Sequence, residues 1–248
     1  MNPEVLSREI VAWLQEQVRV SGGKGTVFGL SGGLDSAVVA ALCKRAFGRD
    51  CLALLLPCLS AEEDLEHGEL VAKTVDIPFK VVRLDDVFQQ LLLALGENYK
   101  DEMVSGSLEV ANLKPRLRMT VLYYHAARNH YRVVGTGNKS EIMIGYFTKY
   151  GDGAVDLEPL GSLLKEEVRE LAEYLVVPRE IINKKPSAGL WEGQTDENEM
   201  GFSYNELDTY LKGGEVDRGL QEKIEKMISV SEHKRKMPPL YEKKSRQE

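Results

Sequence analysis

The stretch GTVFGLSGGLDSAVVAALCKRAFG, residues 25–48, decides the fold. It joins a short apolar run, Thr26–Leu30, to a tight Ser-Gly-Gly-Leu-Asp-Ser turn, and then to a helical pattern from Ala37 to Phe47 that Gly48 stops. A strand that passes through a glycine turn into a helix is the building unit of parallel α/β sheets. Outward from it the alternation repeats: Cys51–Leu56, Phe79–Leu84 and Tyr131–Gly135 read as further apolar strands. Between and before them, residues 3–20, 60–74, 85–95 and 108–129 read as helices, with Pro3 suited to a first turn and Ser60-x-x-Glu63 as a capping box. This alternation predicts an α/β fold, a doubly wound parallel sheet covered by helices on both faces. Ligands of such sheets sit at the carboxyl ends of strands near a topological switch point, which marks Ser31–Ser36 and Thr136–Glu141 as the loops to watch.

Beyond residue 150 come a turn-rich head, an amphipathic helix around KEEVRELAEYL, and a loop-like stretch over 184–201 of the kind that serves as a lid. Helices are expected over Tyr204–Leu211 and Asp217–Val230, followed by a frayed tail. Without repeat or linker, residues 1–248 read as one domain with a helical C-terminal appendage. A net charge of −7 argues against a surface that neutralises many phosphates and so against long nucleic acids, while a small anion held by a few placed cations stays open. Cys43, Cys51 and Cys58 are odd in number and lack C-x-x-C spacing, so reduced core thiols and a cytoplasmic location are expected. The charged, amphipathic N-terminus resembles neither a signal peptide nor a membrane span, and no membrane partner is expected. His67, His125 and His130 lack metal-ligand spacing.

Several chemistries compete for GLSGGLDS. A Walker A loop needs a lysine where Asp35 stands, and Gly29, Gly32 and Gly33 have the wrong spacing for G-x-G-x-x-G. Gly29-Leu30-Ser31-Gly32-Gly33 does satisfy the nucleophile-elbow pattern G-x-S-x-G, with His233 late in the chain, but that reading leaves Asp35 and Ser36 unexplained. A pyrophosphate with magnesium suits all of them. Gly32 and Gly33 let backbone N–H groups approach anionic oxygens, Ser31 and Ser36 add hydroxyls, and the helix beyond aims its positive end at the same spot. Asp35 would repel the anion unless a cation such as magnesium mediates.

SGGLDS after a strand resembles the signature of the ATP pyrophosphatases, which split ATP between its α and β phosphates to adenylate an acceptor. The later stretches VVGTGNKSEIMIGYFTKYGDGAVDLEPLGSLLKEEVREL (133–171), KKPSAGLWEGQTDE and SEHKR resemble the ammonia-dependent NAD synthetases, so the likeness spans nearly the whole chain. The resemblance implies a ligase that adenylates the nicotinate carboxylate of deamido-NAD and lets ammonia displace AMP. It implies that Gly29, Leu30, Ser31, Gly32, Gly33, Leu34, Asp35 and Ser36 contact ATP, with Thr136 on its adenosine side. Lys165 and Ser187 would reach the phosphates, and Asp35 and Glu141 would hold Mg2+. Arg116, Lys149, Asp156, His233 and Lys234 would hold the dinucleotide, with Arg118 a rival for the role of Arg116. Asp152 reads either as turn chemistry or as a partner for incoming ammonium, and Trp191 as a lid shield or a core residue. The family often reads Gly-Thr-Asp where this chain has Gly135-Thr136-Gly137, which puts any role of that aspartate in doubt. The resemblance further implies a homodimer with the long helix in its interface, and free ammonia or a separate glutaminase as the nitrogen source. The rivals are another adenylating synthase of the same loop family and a non-catalytic ATP-binding regulator.

Overall fold

A computed structural model describes residues 2–98, 107–187, 189 and 193–242. Four parallel strands, β1 (Gly25–Gly29), β2 (Cys51–Leu55), β3 (Phe79–Val81) and β4 (Tyr131–Val133), form a sheet in the order β3-β2-β1-β4. The chain steps from β1 outward through β2 to β3 and then returns to the other side of β1 with β4. The switch point therefore lies between β1 and β4. An isolated bridge between Val134 and Leu157 extends the parallel pairing beyond β4.

Successive strand residues point to opposite faces, and both faces are buried. Phe28, Ala53, Leu55 and Val134 pack on one side against helices α1 (Pro3–Val20), α2 (Leu34–Phe47) and α3 (Glu62–Val75), together with Val168 and Leu171. Val27, Leu54 and Val133 pack on the other against Phe88 and Leu92 of α4 (Asp85–Ala94), Val110 of α5 (Leu108–Ala111) and Ala126 of α6 (Leu113–Asn129). That explains why these strands read as unbroken apolar runs rather than alternating ones.

The single helix expected over 108–129 is broken at Asn112 into α5 and α6. Pro115 is the reason: a continuous helix would need its missing N–H to reach the carbonyl of Ala111, and in the first turn of α6 that N–H is not required. The capping box at Ser60 is also not formed. Ala61 takes the N-cap of α3, and the Ser60 hydroxyl accepts from the Cys58 N–H (3.3 Å) and from Arg118 Nη2 (3.1 Å).

Four short helices complete the site and the appendage: α7 (Lys139–Ile144), α9 (Arg179–Asn183) and α10 (Asp196–Met200) were not expected, whereas α8 (Lys165–Tyr174) was. The stretch 184–201 is thus not all loop, and Trp191 lies outside the described residues. Helices α11 (Tyr204–Leu211) and α12 (Arg218–Val230) close a small separate core with Ile144, Met200 and Phe202. Arg235 ties this appendage back, its guanidinium donating to the Met143 carbonyl (2.8 Å) at the end of α7 and to Ile228 (2.6 Å). Among the described residues no helix is long and apolar enough to cross a membrane.

Candidate active site

A cavity of about 470 Å³ opens at the carboxyl ends of β1, β2 and β4. Gly29, Ser31, Gly33, Asp35, Ser36, Gly135, Thr136, Glu141, Asp152, Lys165, Ser187 and Lys234 all line it, so the two marked loops and the C-terminal half converge on one place.

The first loop is shaped by its glycines and hydroxyls. Gly32 has φ +77°, and a Cβ there would lie 2.5 Å from the Asp64 carbonyl of α3, so no other residue fits this turn. Ser36 Oγ donates to the Gly33 carbonyl (3.0 Å) and accepts the Ser31 N–H (3.2 Å), which winds the loop onto the first turn of α2. Gly33 caps α2 without a side chain, leaving the N–H groups of that first turn aimed toward the cavity mouth, where an anion is favoured.

Asp35 projects from the start of α2 to Lys165 Nζ (Oδ2, 2.6 Å), and the same ammonium reaches Glu141 Oε1 at 3.0 Å. Lys165 is only 5% exposed. Burial would release its proton, but the carboxylates of Asp35 and Glu141 outweigh burial and hold its pKa above the ordinary lysine value. Burial raises Glu141 to about 7, with Lys165 opposing and Asp35 adding to the rise. A shell that the sequence did not reveal surrounds this triad. Tyr204 OH lies 2.9 Å from both Glu141 Oε1 and Asp196 Oδ2, and its ring packs under the Lys165 ammonium at 4.7 Å. One hydroxyl has one proton to give, so the two carboxylates compete for it unless one is itself protonated. Tyr146 OH reaches Glu199 Oε2 (2.7 Å) and Asp196 Oδ1 (3.1 Å). The backbone N–H of Lys165 donates to Ser140 Oγ (3.1 Å), and that hydroxyl is bonded in turn to the buried Asp208 of α11. The appendage therefore helps fix where Lys165 begins its helix.

Further out, Lys184 Nζ pairs with Asp64 (2.7 Å) and His67 Nδ1 (2.9 Å), and Arg169 donates to the Ile182 carbonyl (2.7 Å); both cations line the cavity. Arg118 lines it too, held by the Leu56 carbonyl (3.0 Å), whereas Arg116 is exposed outside it and contacts the Lys149 carbonyl at 3.4 Å. Lys149 donates to the His233 carbonyl, and Lys234 to the carbonyls of Gly145 and Phe147, both at 2.7 Å. Arg116, Lys149 and Lys234 thus gather with His233 at the edge of the cavity, which Lys234 itself lines. Asp156 stands apart from it: its carboxylate accepts the Val133 N–H (2.8 Å) and the Tyr123 hydroxyl (3.1 Å) and serves the end of β4. Asp152 accepts the Thr148 N–H (2.9 Å) in the turn between Gly151 and Gly153, where its side chain lines the cavity and stays open to solvent. A Cβ at Gly135 would come within 2.4 Å of the Glu158 carboxyl, and one at Gly137 within 3.4 Å. The carboxyl beside this loop is therefore Glu158, raised to about 8 chiefly by burial.

Magnesium prefers one or two carboxylates plus substrate phosphates and retained waters to an all-protein cage. Asp35 and Glu141, already sharing one cation and facing the N-terminus of α2, match that demand. Among the described residues no three His, Cys, Asp or Glu side chains converge as a ready-made cage.

Comparison with known proteins points the same way. The sequence model of the family described as NAD synthase matches residues 6–238. The NH(3)-dependent NAD(+) synthetase of Syntrophomonas wolfei is 48% identical over 240 residues, covering 97% of this chain and 96% of that one. Among solved structures, the NMN synthetase from Francisella tularensis superposes with a TM-score of 0.91 at 37% identity, covering 97% of this chain and 99% of that one. The NH3-dependent NAD synthetase from Campylobacter jejuni does so with 0.80 at 31% identity, covering 98% and 100%.

Proposed function

The chain belongs to the NAD synthase family, and from that premise we propose that it catalyses the ATP-dependent amidation of deamido-NAD by ammonia. A carboxylate resists amidation because oxide would have to leave. In the first step a nicotinate carboxylate oxygen attacks the α-phosphorus of ATP, the α–β bridging bond breaks, and pyrophosphate departs. In the second, the ammonia nitrogen attacks the carbonyl carbon of the mixed anhydride, AMP leaves, and one proton is shed as the amide forms.

The main difficulty is bringing two anions together, and the residues divide that task. The loop Gly29–Ser36 and the first turn of α2 receive the phosphates, and Thr136 borders the adenosine. Lys165, bonded to both carboxylates, would turn to phosphate oxygens when ATP enters, with Ser187 and Lys184 approaching from the lid side. Mg2+ held by Asp35 and Glu141 would neutralise charge developing on the leaving pyrophosphate. Arg116, Lys149 and Lys234 supply charge complementary to a dinucleotide, with His233 beside them, and Asp152 would accept a proton from ammonium. Asp156 supports β4 and reaches the dinucleotide only through that strand's position.

A homodimer through the long helix α6 and its neighbour α4 would cover exposed apolar side chains on them, Val87, Leu93 and Tyr124 among them. Its test is light scattering, with twice the chain mass expected and the single chain mass refuting it.

The observation that carries the reading is the cluster at the switch point in which the buried Lys165 joins the half-buried Asp35 and Glu141. Incubation with ATP, Mg2+, ammonium and deamido-NAD should yield NAD, AMP and pyrophosphate in equal amounts, and glutamine should not replace ammonium. AMP without NAD, or ADP in place of AMP, refutes the reading. The close superposition on an NMN synthetase favours a second acceptor, nicotinate mononucleotide, so both acceptors belong in the same assay and the larger kcat/KM names the substrate.

A further inference from the structure

Asn138 is 0% exposed and lies between the two carboxylates assigned to the metal. Its Nδ2 donates to Asp35 Oδ1 (2.9 Å) across a separation of 103 positions in the chain. Its Oδ1 accepts the N–H of Glu141 (3.1 Å), and its own N–H donates to Glu141 Oε2 (3.4 Å), a reciprocal capping box at the start of α7. One amide side chain thus fixes the first carboxylate directly and the second through the helix that carries it. An isolated capping residue would need only its oxygen. The amide nitrogen is spent on Asp35, and the geometry holds Asp35 Oδ2 toward Lys165 while Oδ1 is engaged.

We infer that Asn138 is the positioning residue that sets Asp35 and Glu141 at the separation a divalent cation and a polyphosphate require. The inference rests on the reading of Asp35 and Glu141 as metal carboxylates. Without the tether, Asp35 is free to follow Lys165, and the pair must be reassembled each time metal arrives. Partners of this kind, one shell beyond the ligands, typically change metal affinity by about 10–100-fold when removed.

Two variants separate positioning from capping. Asn138→Ser keeps an N-cap oxygen for the Glu141 N–H, because serine caps about as well as asparagine, but is too short to reach Asp35. Asn138→Ala loses both contacts. Mn2+ binding is followed by electron paramagnetic resonance in the presence of α,β-methylene-ATP, together with the Mg2+ dependence of turnover and the melting temperature. Asn138→Ser should melt close to the parent, bind Mn2+ roughly tenfold more weakly, shift the Mg2+ midpoint upward by a similar factor and recover most of kcat at saturating Mg2+. Asn138→Ala should show the same metal defect with a lower melting temperature. Parental Mn2+ affinity in Asn138→Ser overturns the inference, as does a loss of kcat that Mg2+ does not restore. Mn2+ binding needs no acceptor substrate, so failure of the deamido-NAD reaction in the parent is distinguishable from failure of this inference.

Discussion

Replacing Lys165 with methionine keeps the length of the side chain and removes its charge. This leaves Asp35 and Glu141, which share one ammonium at 2.6 and 3.0 Å, without that counter-charge around a buried position. Removing one partner of a buried pair costs about 3–5 kcal/mol. For a chain of this size about 1 kcal/mol moves the melting temperature by about 2–4 °C, so a fall of roughly 6–20 °C is expected. The lower end applies where Glu141 takes up a proton in compensation. Glu141 titrates near 7 in the parent, and losing Lys165 raises that value further. Between the two values the parent is ionised and the variant protonated, so the deficit grows from pH 6 to pH 8. The assay is differential scanning calorimetry at both pH values, with and without Mg2+, alongside adenylation measured as pyrophosphate release. Mg2+ alone should restore more stability to the variant than to the parent, because it replaces the missing cation. Adenylation should fall by about 10²–10³-fold, the range for loss of one charge-stabilising contact to a transition state. A variant that melts like the parent at both pH values, ignores Mg2+ and turns over normally would return Lys165 to an ordinary buried ion pair.

Asp35→Ala should retain the circular dichroism of the parent and lose adenylation by at least about 10³-fold, since it removes a metal ligand and the partner of Lys165 together; full turnover removes the metal argument. Tyr204→Phe deletes the hydroxyl that joins Glu141 to Asp196 and should cost about 1–2 kcal/mol in urea denaturation while weakening ATP·Mg2+ binding. An unchanged midpoint and affinity would make that bridge incidental. Glu158, raised to about 8 when folded, favours the folded state while protonated, so its contribution is complete below about pH 4.5 and is lost as pH rises through 8. Glu158→Gln should flatten the decline between about pH 4.5 and 8 by an amount on the order of a few kcal/mol, and a parental pH profile in the variant would contradict the assignment.

The sheet was legible because its signal is local. Val27, Leu54 and Val133 are buried on one face and Phe28, Ala53 and Val134 on the other, so each strand declares itself as an apolar run. The loop chemistry was equally legible, since Gly32, Asp35 and Ser36 lie within five residues and Gly32 tolerates no substitute. The short helices were not. Six residues in α7 and five in α10 are too few for a helical period to stand out, and they are held by tertiary contacts such as Arg235 on the Met143 carbonyl. Asn138-x-x-Glu141 is a capping-box pattern and could have announced α7. Its bond to Asp35 could not have been read, because it spans 103 positions. Tyr204, Asp196 and Glu199 reach the site only through the packing of the appendage, and Asp156 shows the converse, a motif position whose carboxylate serves the backbone of β4.

The most direct test of the account is a crystal of the protein grown with α,β-methylene-ATP and Mn2+, with the metal located by its anomalous signal. The account predicts manganese bound by Asp35 and Glu141, phosphates against residues 31–36, and Lys165 withdrawn from its carboxylates onto phosphate oxygens. Manganese bound elsewhere, with Lys165 still seated between Asp35 and Glu141, would contradict it.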